Sequence, residues 1–107
     1  MPKDTRPIEV GDRFESKDKR DGGRIVEVVE SLGLSEYGAR RMSRIKEAGK
    51  VPAWTSWTFP EYVEWARQGD THFRIKTEVH PKNPSAVGRT IRIQENTLRE
   101  KFKRVSR

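Results

Sequence analysis

The sequence predicts a small antiparallel β-barrel of the α+β class, in which two helices interrupt about five short strands. Apolar and polar residues alternate over residues 72–80 and 90–94, as they do in strands that bury one face. In the middle third the apolar spacing becomes helical. A chain of 107 residues has room for one domain. We therefore expect residues 1–107 to form a single domain, with barrel strands in 8–33 and 71–107 and a helical, tryptophan-rich insertion between the second and third strands in 34–70.

The first predicted strand covers residues 8–16 and is followed by a charged turn. Gly11 marks a bend within it, and Phe14 is its first large apolar residue. Residues 17–23 alternate in charge and end in two glycines, which is typical of a solvent-exposed turn. Lysine and arginine surround Asp18 and Asp21, so we interpret these carboxylates as part of the turn and not as a metal or catalytic pair.

Residues 24–30 fit two structures. Four β-branched residues in this run of seven favour a strand, with Val26 and Val28 facing the core. Ile25 and Leu32 also share one helical face, so a helix is the alternative. We favour the strand, because a double glycine precedes it, as in a hairpin, and β-branched runs form helices poorly.

Two helices are predicted in the middle third. Ser35 is the expected N-cap of the first, and Gly49 ends it. Thr58 and Glu61 have the spacing of a capping box and begin the second, over residues 59–68. Six of the nine aromatic residues lie in this third. We therefore expect the helical pair to form a second small core.

Strand periodicity returns in the last third. Phe73, Ile75, Thr77 and Val79 are expected to face the core from one strand, and Ile91 and Ile93 from the next. A proline-containing connection separates these two strands. A short helix and a fifth strand then complete the predicted barrel.

The whole excess of positive charge lies in this last third. The net charge is +7, and residues 71–107 carry ten basic and three acidic residues, whereas the two preceding thirds are nearly neutral. Clustered cations are typical of polyanion-binding proteins, because neutralising phosphates releases counterions. The main prediction is a nucleic acid bound through its phosphate backbone; an ordinary solvated surface is the alternative. The residues assigned to this contact are Arg74, Lys76, Arg89, Arg92, Lys101, Lys103 and Arg104.

Short motifs in both flanking segments resemble a known group of proteins. They are VGDRF at 10–14, DKR at 18–20, the strand from Gly23 to Val29, GRTIRI at 88–93, Leu98 with Arg99, and FKRV at 102–105. They resemble short uncharacterised proteins of actinobacteria and their phages, which are similar to SH3-like small barrels and have no assigned chemistry. The resemblance covers roughly half of the chain. It implies an SH3-like barrel in a phage-type protein, and the helical middle third departs from its pattern.

Catalysis, metals and cofactors are not expected. The sequence has no phosphate-binding glycine loop, nucleophile elbow or His-Glu-x-x-His motif, and no cysteine. His72 and His80 lie on one predicted strand at a separation of more than about 25 Å, which is too far to share a metal ion. The polar start and the absence of a membrane-length apolar run predict no membrane association. We expect a cytoplasmic protein, in the bacterial host if it is phage-encoded.

A helix-turn-helix is an alternative interpretation of the helical segment. Residues 32–54 resemble the turn and second helix of an excisionase-type DNA-binding unit. This interpretation requires residues 24–31 to form the first helix. The residues that would then contact DNA are Arg40, Arg41, Arg44 and Lys50.

A protein-binding surface is a further alternative. Tryptophan, tyrosine and arginine dominate interface hot spots, so Trp54, Trp57 and Trp65 are candidates for binding a host protein. We expect these indoles to pack in the core instead. A chain with only 22 Leu, Ile, Val and Phe residues needs its tryptophans for stability.

Overall fold

The computed structural model describes residues 6–105 and has an α+β architecture. A five-stranded antiparallel sheet curves into a half-barrel, and three α-helices accompany it. The polar start at residues 1–5 and the last two residues lie outside the described part. The strands are β1 (Arg13–Ser16), β2 (Ile25–Leu34), β3 (Thr71–Val79), β4 (Thr90–Gln94) and β5 (Phe102–Val105), and the helices are α1 (Glu36–Ala48), α2 (Phe59–Asp70) and α3 (Glu95–Lys101).

The strand order is β4-β3-β2-β1-β5, so β4 and β5 form the two edges of the sheet. The prediction of a strand at residues 24–30 is confirmed, because β2 pairs with both β1 and β3. It also runs further than expected, to Leu34, with register shifts along its pairing with β3. The first helix of the helix-turn-helix interpretation is therefore wrong: its residues are extended and hydrogen-bonded within a sheet.

One face of the sheet carries the core. Val26 and Val28 are fully buried, as predicted, and α3 places Leu98 against them. Alternation along the strands brings these side chains to the same face. The complete cluster is Phe14, Val26, Val28, Phe73, Ile75, Leu98 and Phe102.

Both helix starts and the end of α1 follow the predicted caps, whereas α2 runs past the predicted end at residue 68 to Asp70. The Ser35 hydroxyl accepts a hydrogen bond from the Gly38 amide at 3.0 Å, and Gly49 ends α1 in the left-handed conformation at φ 66°. In α2, Thr58 and Glu61 form the reciprocal capping box. Because these caps satisfy backbone groups that the helices leave free, they fix where both helices begin.

Gly38 allows α1 to approach the end of α2 closely. A Cβ atom at this position would lie 2.9 Å from the Cβ of Asp70. A contact between two Cβ atoms cannot relax by rotating a side chain, so any larger residue would push the helices apart. The absence of a side chain at Gly38 thus sets the distance between α1 and α2.

Three predictions about buried residues are wrong, those for the tryptophans, for Ile91 and for Val79, which is 40% exposed at the end of β3. Trp54, Trp57 and Trp65 are all exposed and lie outside the core. Ile91 is 46% exposed, because β4 is an edge strand with a neighbour on one side only, whereas Ile93 packs against the core. Within residues 6–105, no helix combines the length and apolar character needed to cross a membrane.

Candidate functional site

The cations predicted for nucleic-acid binding do not converge on one patch. Arg74 and Lys76 lie on β3 and Arg92 on β4, near one edge, whereas Lys103 lies on β5 at the opposite edge. Four strand spacings of about 4.8 Å separate β4 from β5, roughly 19 Å along the curved sheet. Arg89 precedes β4 and so belongs to the first group. Lys101 ends α3 directly before β5 and so belongs to the second, separate group.

Carboxylates lie among the cations of the sheet. Arg74 donates to Glu30 at 3.0 Å, and Arg13 forms an ion pair with Glu78. A hydrogen bond with Glu78, together with burial, raises the pKa of Glu27 above its usual range. The outer surface of the sheet is thus mixed in charge, which reduces its attraction for a polyanion.

The assignment of Arg104 to a binding surface is wrong, because this side chain is only 8% exposed. Its guanidinium forms an ion pair with Asp12, which is fully buried, and lies 5.2 Å from the centre of the Phe14 ring. It also donates to the backbone carbonyls of Arg6 and Pro7 at 3.1 and 3.2 Å. Arg104 therefore anchors the segment that precedes β1 to the edge of the sheet.

The turn at residues 17–23 is the predicted charged loop. Asp18 caps a short 3₁₀ helix and forms an ion pair with Arg20 at 2.9 Å. A side-chain hydrogen bond from Arg20 lowers the pKa of Asp18 below its usual range. In the described part of the chain, no three metal-binding side chains come together.

A groove of about 450 Å³ lies between α1, α2 and the segment that joins them. Its cationic residues are Arg41 and Arg44 on α1 and Lys50 just after it. Asp70, at the end of α2, lies 3.7 Å from the Arg41 guanidinium. The groove lining contains no carboxylate, and its residues are Tyr37, Arg41, Arg44, Ile45, Ala48, Lys50, Val51, Pro52 and Tyr62.

The four basic residues of the helix-turn-helix interpretation differ in their surroundings. Arg44 and Lys50 are exposed and have no carboxylate partner among residues 6–105. Arg40 points its charge at Glu36, 2.5 Å away on the same helix, and does not line the groove. Exposed i, i+4 pairs of this kind contribute little to stability, so Arg40 belongs to an ordinary solvated helix face.

An aromatic cluster adjoins the groove. It consists of Trp54, Trp57, Tyr62 and Trp65. Trp54 contacts the other three rings at centroid distances of 5.6 to 6.2 Å in edge-to-face arrangements, while remaining 64% exposed. Tyr62 stacks on Trp65 at 5.9 Å. Because Tyr62 also lines the groove, the cluster and the groove form one continuous surface.

A second cavity, of about 440 Å³, lies where α2 and α3 meet the sheet. Arg67 and Arg99 both donate to the buried carboxylate of Glu95, at 2.9 to 3.1 Å. A hydrogen bond from Arg67 lowers the pKa of Glu64 to about 2, against the opposing effect of burial. Each of these arginines and glutamates lies beside a side chain of opposite charge, so the positive and negative charges of the cavity wall balance one another.

Sequence reasoning named the arginines and tryptophans of the helical segment but assigned them to separate alternatives. It did not assign Tyr37 and Tyr62 to either group: Tyr37 lines the groove, and Tyr62 connects the groove to the tryptophans. Comparison with known proteins adds no relative: no family model, no curated protein and no solved structure matches this chain.

Proposed function

We propose that this chain is a non-enzymatic nucleic-acid-binding module, and that the groove between α1 and α2 contacts the phosphate backbone. The observation that carries the proposal is the charge of the groove lining. Arg41, Arg44 and Lys50 meet there; Asp70 lies 3.7 Å from Arg41, but Arg44 and Lys50 have no carboxylate partner among residues 6–105. Cations grouped in a concave surface raise the local positive potential and attract phosphates.

The groove is favoured over the sheet because its cations line a concave surface together with Tyr37 and Tyr62. On the sheet, Glu30 and Glu78 neutralise Arg74 and Arg13. In the groove, within the described part of the chain, only one of the three lining cations, Arg41, has a carboxylate beside it, that of Asp70. The C-terminal third, which the charge distribution of the sequence favours as the binding surface, is therefore the alternative site that the same experiment tests.

We also propose that the half-barrel is SH3-like and that the α1–α2 segment is an insertion into it, in a protein of phage type. The strand order β5-β1-β2-β3-β4 and the short helix α3 before the last strand support this fold assignment. The helical pair lies between β2 and β3 in the chain. In such a protein the extra segment is where a function beyond the barrel is expected.

Binding is tested by titrating the full chain into a fluorescein-labelled oligonucleotide of about 16 nucleotides and following anisotropy. We expect the affinity to fall steeply between about 50 and about 200 mM salt. The variant Arg44→Ala/Lys50→Ala removes two phosphate contacts. It should bind roughly tenfold more weakly and reduce the salt slope by about 1.4.

A variant with the same change in charge is the control for this experiment. Lys17→Ala/Lys19→Ala removes two exposed cations of the charged turn that do not line the groove. We expect its affinity to stay within about threefold of the parent protein. A larger loss in Arg74→Ala/Arg92→Ala than in the groove variant would move the interface to the sheet. No binding at low salt would eliminate the proposed function.

A protein partner is the second candidate, and the exposure of the aromatic cluster favours it. Its solvent-exposed tryptophans, which Tyr62 joins to the arginine-lined groove, have the composition of an interface hot spot. If this candidate is correct, a host protein is captured by the parent chain and lost with Trp54→Ala/Trp57→Ala. Capture that survives both substitutions would contradict it.

A further inference from the structure

We infer that the groove and the aromatic cluster together bind single-stranded nucleic acid, with bases stacked on the exposed rings and phosphates held by the groove cations. This inference rests on the proposed function and adds the class of ligand. Its structural basis is Tyr62, which lines the groove and contacts Trp54 and Trp65 of the cluster. A ligand that fills the groove therefore reaches the cluster without a gap.

Contacts among the rings of the aromatic cluster leave part of their surface uncovered. Tyr37 is 67% exposed at the groove, and Trp54 keeps most of its surface in contact with water despite three neighbouring rings. Neither ring belongs to the buried core cluster. Large aromatic rings left exposed beside one another on a small domain mark a binding surface. Ring faces next to cations are the combination by which proteins bind unpaired bases.

A single strand fits this surface better than a duplex does. In a duplex the base faces are stacked on one another and cannot contact tyrosine or tryptophan, whereas an unpaired strand exposes both its bases and its phosphates. The groove volume of about 450 Å³ falls in the range of pockets that enclose small organic molecules. It therefore has room for a base. Arg41, Arg44 and Lys50 stand on the same walls to contact the adjoining phosphates.

An acidic peptide is the competing occupant, since it also complements the groove cations. It carries charge but few flat rings. The surface around the groove supplies at least five aromatic side chains, more than a purely ionic contact with carboxylates needs. We therefore favour the ligand that has both repeating charges and repeating ring faces.

The test compares an oligothymidylate of about 16 nucleotides with a duplex of the same length, using anisotropy and the quenching of tryptophan fluorescence that base stacking causes. We expect the single strand to bind at least about tenfold more tightly and to quench the fluorescence. Tyr37→Ala/Trp54→Ala should lower single-strand affinity at least about tenfold. Tyr37→Phe/Trp54→Phe keeps an aromatic ring at both positions, and its single-strand affinity should stay within about threefold of the parent protein. Both positions are exposed, so equal melting temperatures will show that the variants are folded.

Four outcomes would overturn the inference. Equal affinity for duplex and single strand, or full affinity in Tyr37→Ala/Trp54→Ala, would remove the stacking contact. The proposed function would then stand if Arg44→Ala/Lys50→Ala still weakened binding. Displacement of the oligonucleotide by an oligoglutamate peptide of equal charge, at equal concentration, would identify an acidic protein as the occupant. Failure to bind either nucleic acid would end the proposed function as well.

Discussion

Replacing Arg104 by alanine is expected to lower the free energy of unfolding by about 3–5 kcal/mol. The substitution leaves the fully buried Asp12 carboxylate without its guanidinium partner. An uncompensated buried charge costs far more than an exposed one, because the protein interior screens it poorly. The segment before β1 also loses the hydrogen bonds that the Arg104 guanidinium donates to the backbone carbonyls of Arg6 and Pro7.

The neighbouring cation provides the control. Lys103 lies next to Arg104 on β5 but is exposed, so Lys103→Ala should change stability by less than about 0.5 kcal/mol. Urea denaturation followed by tryptophan fluorescence or circular dichroism measures both values. Equal, small losses for the two variants would show that Arg104 does not anchor the fold, and would return it to the candidate binding residues.

Glu95→Ala is expected to cost about 3 kcal/mol. The Glu95 carboxylate is almost fully buried at the start of α3 and accepts hydrogen bonds from Arg67 on α2 and Arg99 on α3. Without this carboxylate, less negative charge lies beside the guanidiniums of Arg67 and Arg99. Arg67 retains Glu64, whose carboxylate lies 2.6 Å away, so the cost stays below the upper end of the range for buried ion pairs.

The matched control for this substitution is on the same helix. Glu100→Ala removes an exposed carboxylate from α3 and should leave the denaturation midpoint nearly unchanged. Because Glu95 joins α2 to α3, its loss should also increase amide hydrogen exchange at the end of α2. A Glu95→Ala protein as stable as Glu100→Ala would contradict a structural role for this ion-pair network.

The elements of the fold could be predicted because local rules agree with the tertiary structure. β-branched composition favours β2 as a strand, and Thr58 with Glu61 marks the start of α2. Burial of single residues was harder to predict. Ile91 has the same alternating pattern as Ile75, but β4 is an edge strand and β3 is central, a difference set by strand order and not by periodicity.

The candidate site was predicted only in pieces. Charge summed by thirds concealed the groove, since the basic α1 segment is averaged with the acidic α2, which has one basic and three acidic residues. Sequence alone also ranked Arg104 with the free cations, because its partner Asp12 is distant in the chain. The tryptophans were assigned to the core on composition. The structure instead fills the core with smaller side chains and leaves the indoles exposed.

The most direct test of the central claim is a ¹H–¹⁵N nuclear magnetic resonance titration of the full chain with the oligothymidylate at low salt. We predict that the largest shifts occur at the backbone amides of Arg44 and Lys50 and at the indole N–H groups of Trp54 and Trp65, with little change on β4 and β5. Shifts confined to Arg92, Lys103 and their strands, with unmoved indole signals, would contradict the claim that the helical groove is the binding surface.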